Sequence, residues 1–124
     1  MIIEAIDTVS LEQGSKVFTS IEADAVGDGG NIEITTRFLE VRNQSGLNTS
    51  TAGKGNAGSV IVKATDNVTF FESGVLSTVL LGADGNGGQI KLIAPSVELS
   101  NGSLLTSSTS GKGNAGEIII EATD

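Results

Sequence analysis

The string Gly53-Lys54-Gly55-Asn56-Ala57-Gly58 returns unchanged as Gly111-Lys112-Gly113-Asn114-Ala115-Gly116, 58 residues later. In a chain of 124 residues such a recurrence restricts the fold strongly, because both copies must suit the same local environment. Weaker copies at Gly27-Asp28-Gly29-Gly30 and Gly85-Asn86-Gly87-Gly88 halve the interval. Cutting after each Gly-rich turn gives units 1–30, 31–58, 59–88 and 89–116, with 117–124 opening another, all within one repeat domain spanning 1–124.

Each unit reads alike. An alternating strand comes first (Ile32/Ile34, Val60/Val62, Ile90/Leu92, Ile118/Ile120), then a small residue at Thr36, Ala64, Ala94 and Ala122, matched by Ala5. A second strand carries Val9/Leu11, Leu39/Val41, Val68/Phe70 and Val97/Leu99. Polar turns follow at Gln13-Gly14, Asn43-Gln44, Glu72-Ser73 and Asn101-Gly102, and a third strand starts at Val17, Leu47, Leu76 and Leu105. Period-2 alternation in short runs bounded by turn residues is a strand signature, and no window has helical spacing with caps.

Three strands in 28–30 residues cannot bury their apolar faces within one unit, but stacking unit on unit does so. The sequence therefore predicts an all-β fold, a right-handed parallel β-helix (solenoid) of about four coils with 28–30 residues and three strands per coil. An antiparallel sandwich also suits short strands, but does not explain residue types returning at a fixed offset. Stacking predicts an inner apolar column Ile3, Ile34, Val62, Leu92, Ile120, and an inner hydroxyl column Thr19, Thr49, Thr78, Ser107.

Composition removes most chemistries. Cys, His, Trp and Tyr are absent, which excludes disulfides, thiol and imidazole catalysis, and an aromatic-built ligand pocket. A formal net charge of −8 argues against nucleic acid or an anionic membrane as partner. No segment approaches the ~20 apolar residues needed to span a bilayer, so no membrane insertion is expected.

The remaining motifs are read against the repeat. Gly53/Gly55/Gly58 and Gly111/Gly113/Gly116 match G-x-G-x-x-G, but strands follow them where a dinucleotide site needs a helix N-terminus. No Gly-Lys-Ser/Thr makes Lys54 or Lys112 part of a P-loop. The acidic turns at Asp24/Asp28 and Asp84 offer one or two carboxylates each, too few for Ca²⁺. Asp7 and Asp66, with Asp124, share a strand-to-strand corner where Asx-turns are expected, and Asn56 and Asn114 suit left-handed turn positions or an amide ladder. The outward positions of the third strand are expected at Phe18, Asn48, Ser77, Thr106 and at Ser20, Ser50, Val79, Ser108, a mixed face. Polysaccharide-cleaving chemistry needs paired carboxylates and sugar-binding groups, and the chain has only Arg37 and Arg42 beside its lysines. Catalytic residues, cofactor-binding residues and metal ligands are accordingly expected to be none, and no cofactor is expected.

The strings Ser50-Thr51-Ala52-Gly53-Lys54-Gly55-Asn56-Ala57-Gly58, Gly87-Gly88-Gln89-Ile90-Lys91-Leu92 and Ala64-Thr65-Asp66-Asn67-Val68-Thr69-Phe70 resemble the repeats of filamentous-haemagglutinin-like exoproteins, most closely the long cyanobacterial members. The resemblance covers nearly the whole chain. It implies a right-handed parallel β-helix, two-partner secretion and a surface or adhesin role. The expected function is a non-catalytic structural and interaction module, a segment of a β-helical stalk from a secreted or cell-surface exoprotein. The alternative is a ligand-contacting β-helix that binds carbohydrate or orders ice through Ser/Thr arrays. Expected partners are further copies, through open coil ends, and a cell-surface or carbohydrate receptor. No signal peptide is read at Met1-Ile2-Ile3-Glu4, so the chain is expected to be a piece of a longer fibre.

Overall fold

The computed structural model describes residues 1–122. Eleven strands and no helix occur among them: β1 (Ile2–Glu4), β2 (Thr8–Leu11), β3 (Lys16–Ile21), β4 (Ile32–Arg42), β5 (Gly46–Thr51), β6 (Val60–Phe71), β7 (Gly74–Val79), β8 (Ile90–Ala94), β9 (Ser96–Ser100), β10 (Leu104–Thr109) and β11 (Ile118–Ala122). Every strand pairing is parallel. One sheet runs β1-β4-β6-β8-β11, with β2 on β4 and β9 on β6, and the other runs β3-β5-β7-β10. The chain is a β-solenoid of about four coils. In the middle coils the first and second strands of the unit merge into the long β4 and β6, which bend at a register shift between Thr36 and Phe38.

Coil length alternates for a local reason. Val26, Lys54, Asp84 and Lys112 form a column of isolated parallel bridges at the corner after the third strand. Reaching that column takes residues 22–25 in the first coil and 80–83 in the third, but only 52–53 and 110–111 in the second and fourth. Long and short corners alternate, so the structural period is two coils. That is why the hexapeptide recurs after 58 residues rather than half as many.

Inward positions form the core. Ile34 pairs with Ile3 and Val62, and Leu92 with Val62 and Ile120, as the repeat predicts. At the open end coils Ile3 is partly buried and Ile120 is 45% exposed, whereas Ile34, Val62 and Leu92 are fully enclosed, with Ile32, Leu39, Val41, Leu47, Val60, Val68, Phe70, Val75 and Ile90. Each such side chain contributes roughly 1.5–3 kcal/mol relative to exposure.

The third strand of the third coil corrects the sequence reading by one residue. Leu47 pairs with Val75 and Thr49 with Ser77, so Val75 and Ser77 face inward while Leu76 and Thr78 face out. The turn before it holds two residues, Glu72 and Ser73, between the paired Phe71 and Gly74, where the preceding coil holds three, Asn43, Gln44 and Ser45, between Arg42 and Gly46. Glu72, Asn43 and Gln44 all adopt positive φ, so one left-handed residue has been lost from the turn.

Candidate interaction surface

The Gly-rich corners are occupied by the stacking itself. Gly27 N donates to Lys54 O at 2.8 Å, Gly55 N to Asp84 O at 2.8 Å, and Gly85 N to Lys112 O at 2.9 Å. A Cβ on Gly55 or Gly85 would collide with the carbonyl of Gly27 or Gly55 in the coil before, so only glycine permits this approach. Alongside runs a side-chain ladder. Asn56 N donates to Asp28 Oδ1 at 2.8 Å, Asn86 N to Asn56 Oδ1 at 2.7 Å, and Asn114 N to Asn86 Oδ1 at 2.8 Å. The two G-x-G-x-x-G matches thus lead into strands with their amides bonded coil to coil, and Asp28 serves as the first rung of an amide ladder. Among the described residues no group of three or more acidic side chains is placed to hold a metal ion.

The inner hydroxyl column is Thr19, Thr49, Ser77 and Ser107, with Ser77 where the sequence suggested Thr78. These hydroxyls tie the four-stranded sheet to the glycine corner. Thr19 Oγ1 donates to Gly30 O at 2.5 Å, Thr49 Oγ1 to Gly58 O at 2.6 Å and Ser107 Oγ to Gly88 O at 3.2 Å, while Ser77 Oγ accepts from Gly88 N at 2.9 Å.

Asp7 and Asp66 do share a corner, but Asx-turns are not what they make. Arg37 stands between them. Its Nε donates to Asp66 Oδ2 at 2.6 Å, and its Nη1 lies 3.6 Å from Asp7 Oδ1. The hydrogen bond that Arg37 donates to Asp66, and then the charge of that carboxylate, raise the Arg37 pKa above its usual value. The spacing of Asp7 and Asp66 was visible in the sequence, but their shared partner one coil away was not. Asp124 lies outside the described residues.

The outer face of the β3-β5-β7-β10 sheet differs from the rest of the surface. Its three outward columns are Lys16/Gly46/Gly74/Leu104, Phe18/Asn48/Leu76/Thr106 and Ser20/Ser50/Thr78/Ser108. Of these twelve positions only Lys16 is charged. The outward positions of β4, β6 and β8 alone carry Glu33, Glu40, Arg42, Lys63 and Lys91. The corrected register changes the chemistry of the third column, since Thr78 replaces Val79, which is fully buried. Every coil then presents a hydroxyl there. Phe18, Leu76 and Leu104 are 62%, 38% and 56% exposed on the same face. The paired glycines Gly46 and Gly74 floor a shallow groove of about 330 Å³, bordered by Lys16, Asn48, Leu76 and Leu104, with Gln44 and Glu72 at its turn-side rim. A Cβ on Gly74 would lie 2.5 Å from Leu104 O, so coil stacking itself keeps that floor bare.

This geometry offers uncharged hydrogen-bonding groups beside exposed apolar side chains. Comparison with protein-family models, with curated proteins and with solved structures finds no match to the chain.

Proposed function

We propose that the chain is a non-catalytic structural and interaction module, a segment of a β-helical stalk from a secreted or cell-surface adhesin-like exoprotein, exported by two-partner secretion as its resemblance to filamentous-haemagglutinin-like repeats implies. The observation that carries this reading is repeatability along the axis. Side chains of the same kind recur in register from coil to coil, branched aliphatic in the core column through Ile34, Val62 and Leu92 and amide in the corner ladder through Asn56 and Asn86. A stack whose corners, ladders and core all continue by the same rule can lengthen without a new design, which is what a stalk requires.

Duplicating the two-coil unit tests it. A second copy of 31–88 inserted after Gly88 restores the same Gly-to-strand junction as Gly30-Asn31. The lengthened protein should melt cooperatively and grow by about 10 Å along its axis in X-ray scattering, two coils at about 4.8 Å each. A chain that unfolds, or grows sideways, overturns the stalk reading.

The coil edges support a partner of the same kind. Strands β3 and β10 are the outer members of their sheet, and β1 and β11 of theirs, each with one paired neighbour. Such edges offer unpaired N–H and C=O groups to another parallel strand, from a second copy or from a further coil. Light scattering of the 124-residue chain should show association rising with salt, because screening at 1 M shortens the reach of the −8 charge to roughly 3 Å. A monomer at every salt concentration would remove this partner.

A further inference from the structure

We propose that the outer face of the β3-β5-β7-β10 sheet binds an uncharged polysaccharide chain laid along the solenoid axis. The face is chemically one-sided. In a molecule of net charge −8 it has one charge among twelve outward positions, and a hydroxyl at the same place in all four coils. Charge depletion marks the centre of an interface rather than a solvated surface.

The occupant follows by elimination on chemistry and area. An anionic polymer meets the net negative charge of the whole molecule and finds Lys16 alone to hold it. An apolar ligand would cover Ser50 and Thr78 and leave their hydroxyls unpaired, which is costly. A second copy of the chain lacks area. Four strands at about 4.8 Å and six residues at about 3.3 Å give a face of about 19 by 20 Å, roughly 380 Å². A stable protein interface needs about 800 Å² per partner. An uncharged sugar chain has both features that the face presents, hydroxyls for Ser50 and Thr78 and C–H faces for Leu76 and Leu104. The bare floor over Gly46 and Gly74 lets it lie close to the backbone. The groove, about 330 Å³, is near the lower end of ligand-site volumes, about 300–1,000 Å³. Phe18, in the first coil, is the one aromatic on the face. Most of the sugars laid along the face therefore have no ring to stack on, each is held weakly, and affinity depends on the length of polymer engaged.

Native-gel electrophoresis through gels containing hydroxyethylcellulose or dextran, with heparin as the anionic control, tests the proposal. Migration should be retarded by at least one neutral polymer and not by heparin. Leu76→Ser combined with Leu104→Ser removes exposed apolar contacts while leaving the core intact, and should weaken retardation at least tenfold. Ser50→Lys should weaken it similarly, whereas Ile61→Ser combined with Ile93→Ser on the opposite sheet should not. Melting curves confirm that the variants are folded. No retardation by either neutral polymer, retardation by heparin alone, or equal retardation of all variants would overturn it. So would a dimer in sedimentation that dissociates in the Leu76→Ser variant. A chain that lengthens on duplication of 31–88 yet shows no retardation loses this proposal and keeps the stalk.

Discussion

Thr51 and Thr49 lie two residues apart on β5, both wholly buried, and their hydroxyls have opposite fates. Thr49 Oγ1 donates to Gly58 O at 2.6 Å, whereas Thr51 Oγ1 has no hydrogen-bond partner. Thr51 stacks between Ile21 and Val79, so the column already accepts a branched aliphatic side chain at this height. Thr51→Val exchanges an unpaired buried hydroxyl for a methyl of similar size. An unsatisfied buried polar group costs about 1–3 kcal/mol, so the variant should be more stable by about 1 kcal/mol or more. Thr49→Val breaks a made bond and should be less stable by about 0.5–1.5 kcal/mol. With about 2.1 cal/mol/K of unfolding entropy per residue, a chain of 124 residues gains or loses about 4 °C in Tm per kcal/mol. Thermal melts by circular dichroism, checked by urea titration with unchanged slope, should therefore move the two variants in opposite directions. Two shifts of the same sign would refute the assignment of which hydroxyl is paired.

Further expectations concern the core, the corners and metal. Val62→Asp places a charge among Ile34 and Leu92 and should cost several kcal/mol, while the outward Lys63→Asp changes the melt little; equal melts would show the inside–outside parity to be wrong. Gly58→Ala drives a Cβ into the carbonyl of Gly30 and should cost about 3 kcal/mol or more, since only backbone movement relieves it; Gly14→Ala, at φ +78 with open space around its Cβ, should cost about 1–2 kcal/mol. Millimolar Ca²⁺ should leave the Tm unchanged, because binding at 100 times Kd would add about 2.7 kcal/mol, and an EDTA-reversible rise of many degrees would assign metal to Asp28 or Asp84.

Repeat length, strand order and core parity were legible because they rest on residue types that return at fixed spacing. Ile34, Val62 and Leu92 can only point one way if neighbouring coils are to share an inside. The third strand of the third coil was misread because a turn lost one residue at Glu72, while Val75 and Leu76 are both apolar. Hydropathy could not choose between them, and the shifted reading hid the continuous hydroxyl column through Thr78. A comparison of turn lengths would have exposed it, since Phe70 to Val75 is one residue shorter than Val41 to Leu47 or Leu99 to Leu105. The Arg37 clasp escaped for another reason. The sequence pattern grouped Asp7 with Asp66 by identity, whereas stacking pairs side chains by charge across the intervening coil. The alternation of long and short corners was present in the unit lengths, but its consequence, a two-coil period, needs the bridge column to be seen.

Spin labels on the outward hydroxyl column test the stacking of coils most directly. Cysteines substituted for Ser20 together with Ser50, with Thr78 or with Ser108 sit on one column in successive coils, clear of the core. Parallel stacking predicts backbone separations near 5, 10 and 14 Å, rising by about 4.8 Å for each coil crossed. Continuous-wave electron paramagnetic resonance should show broadening that weakens in that order. Equal broadening in all three pairs, or a Ser20–Ser108 pair closer than Ser20–Thr78, would contradict a solenoid with these coils in this order.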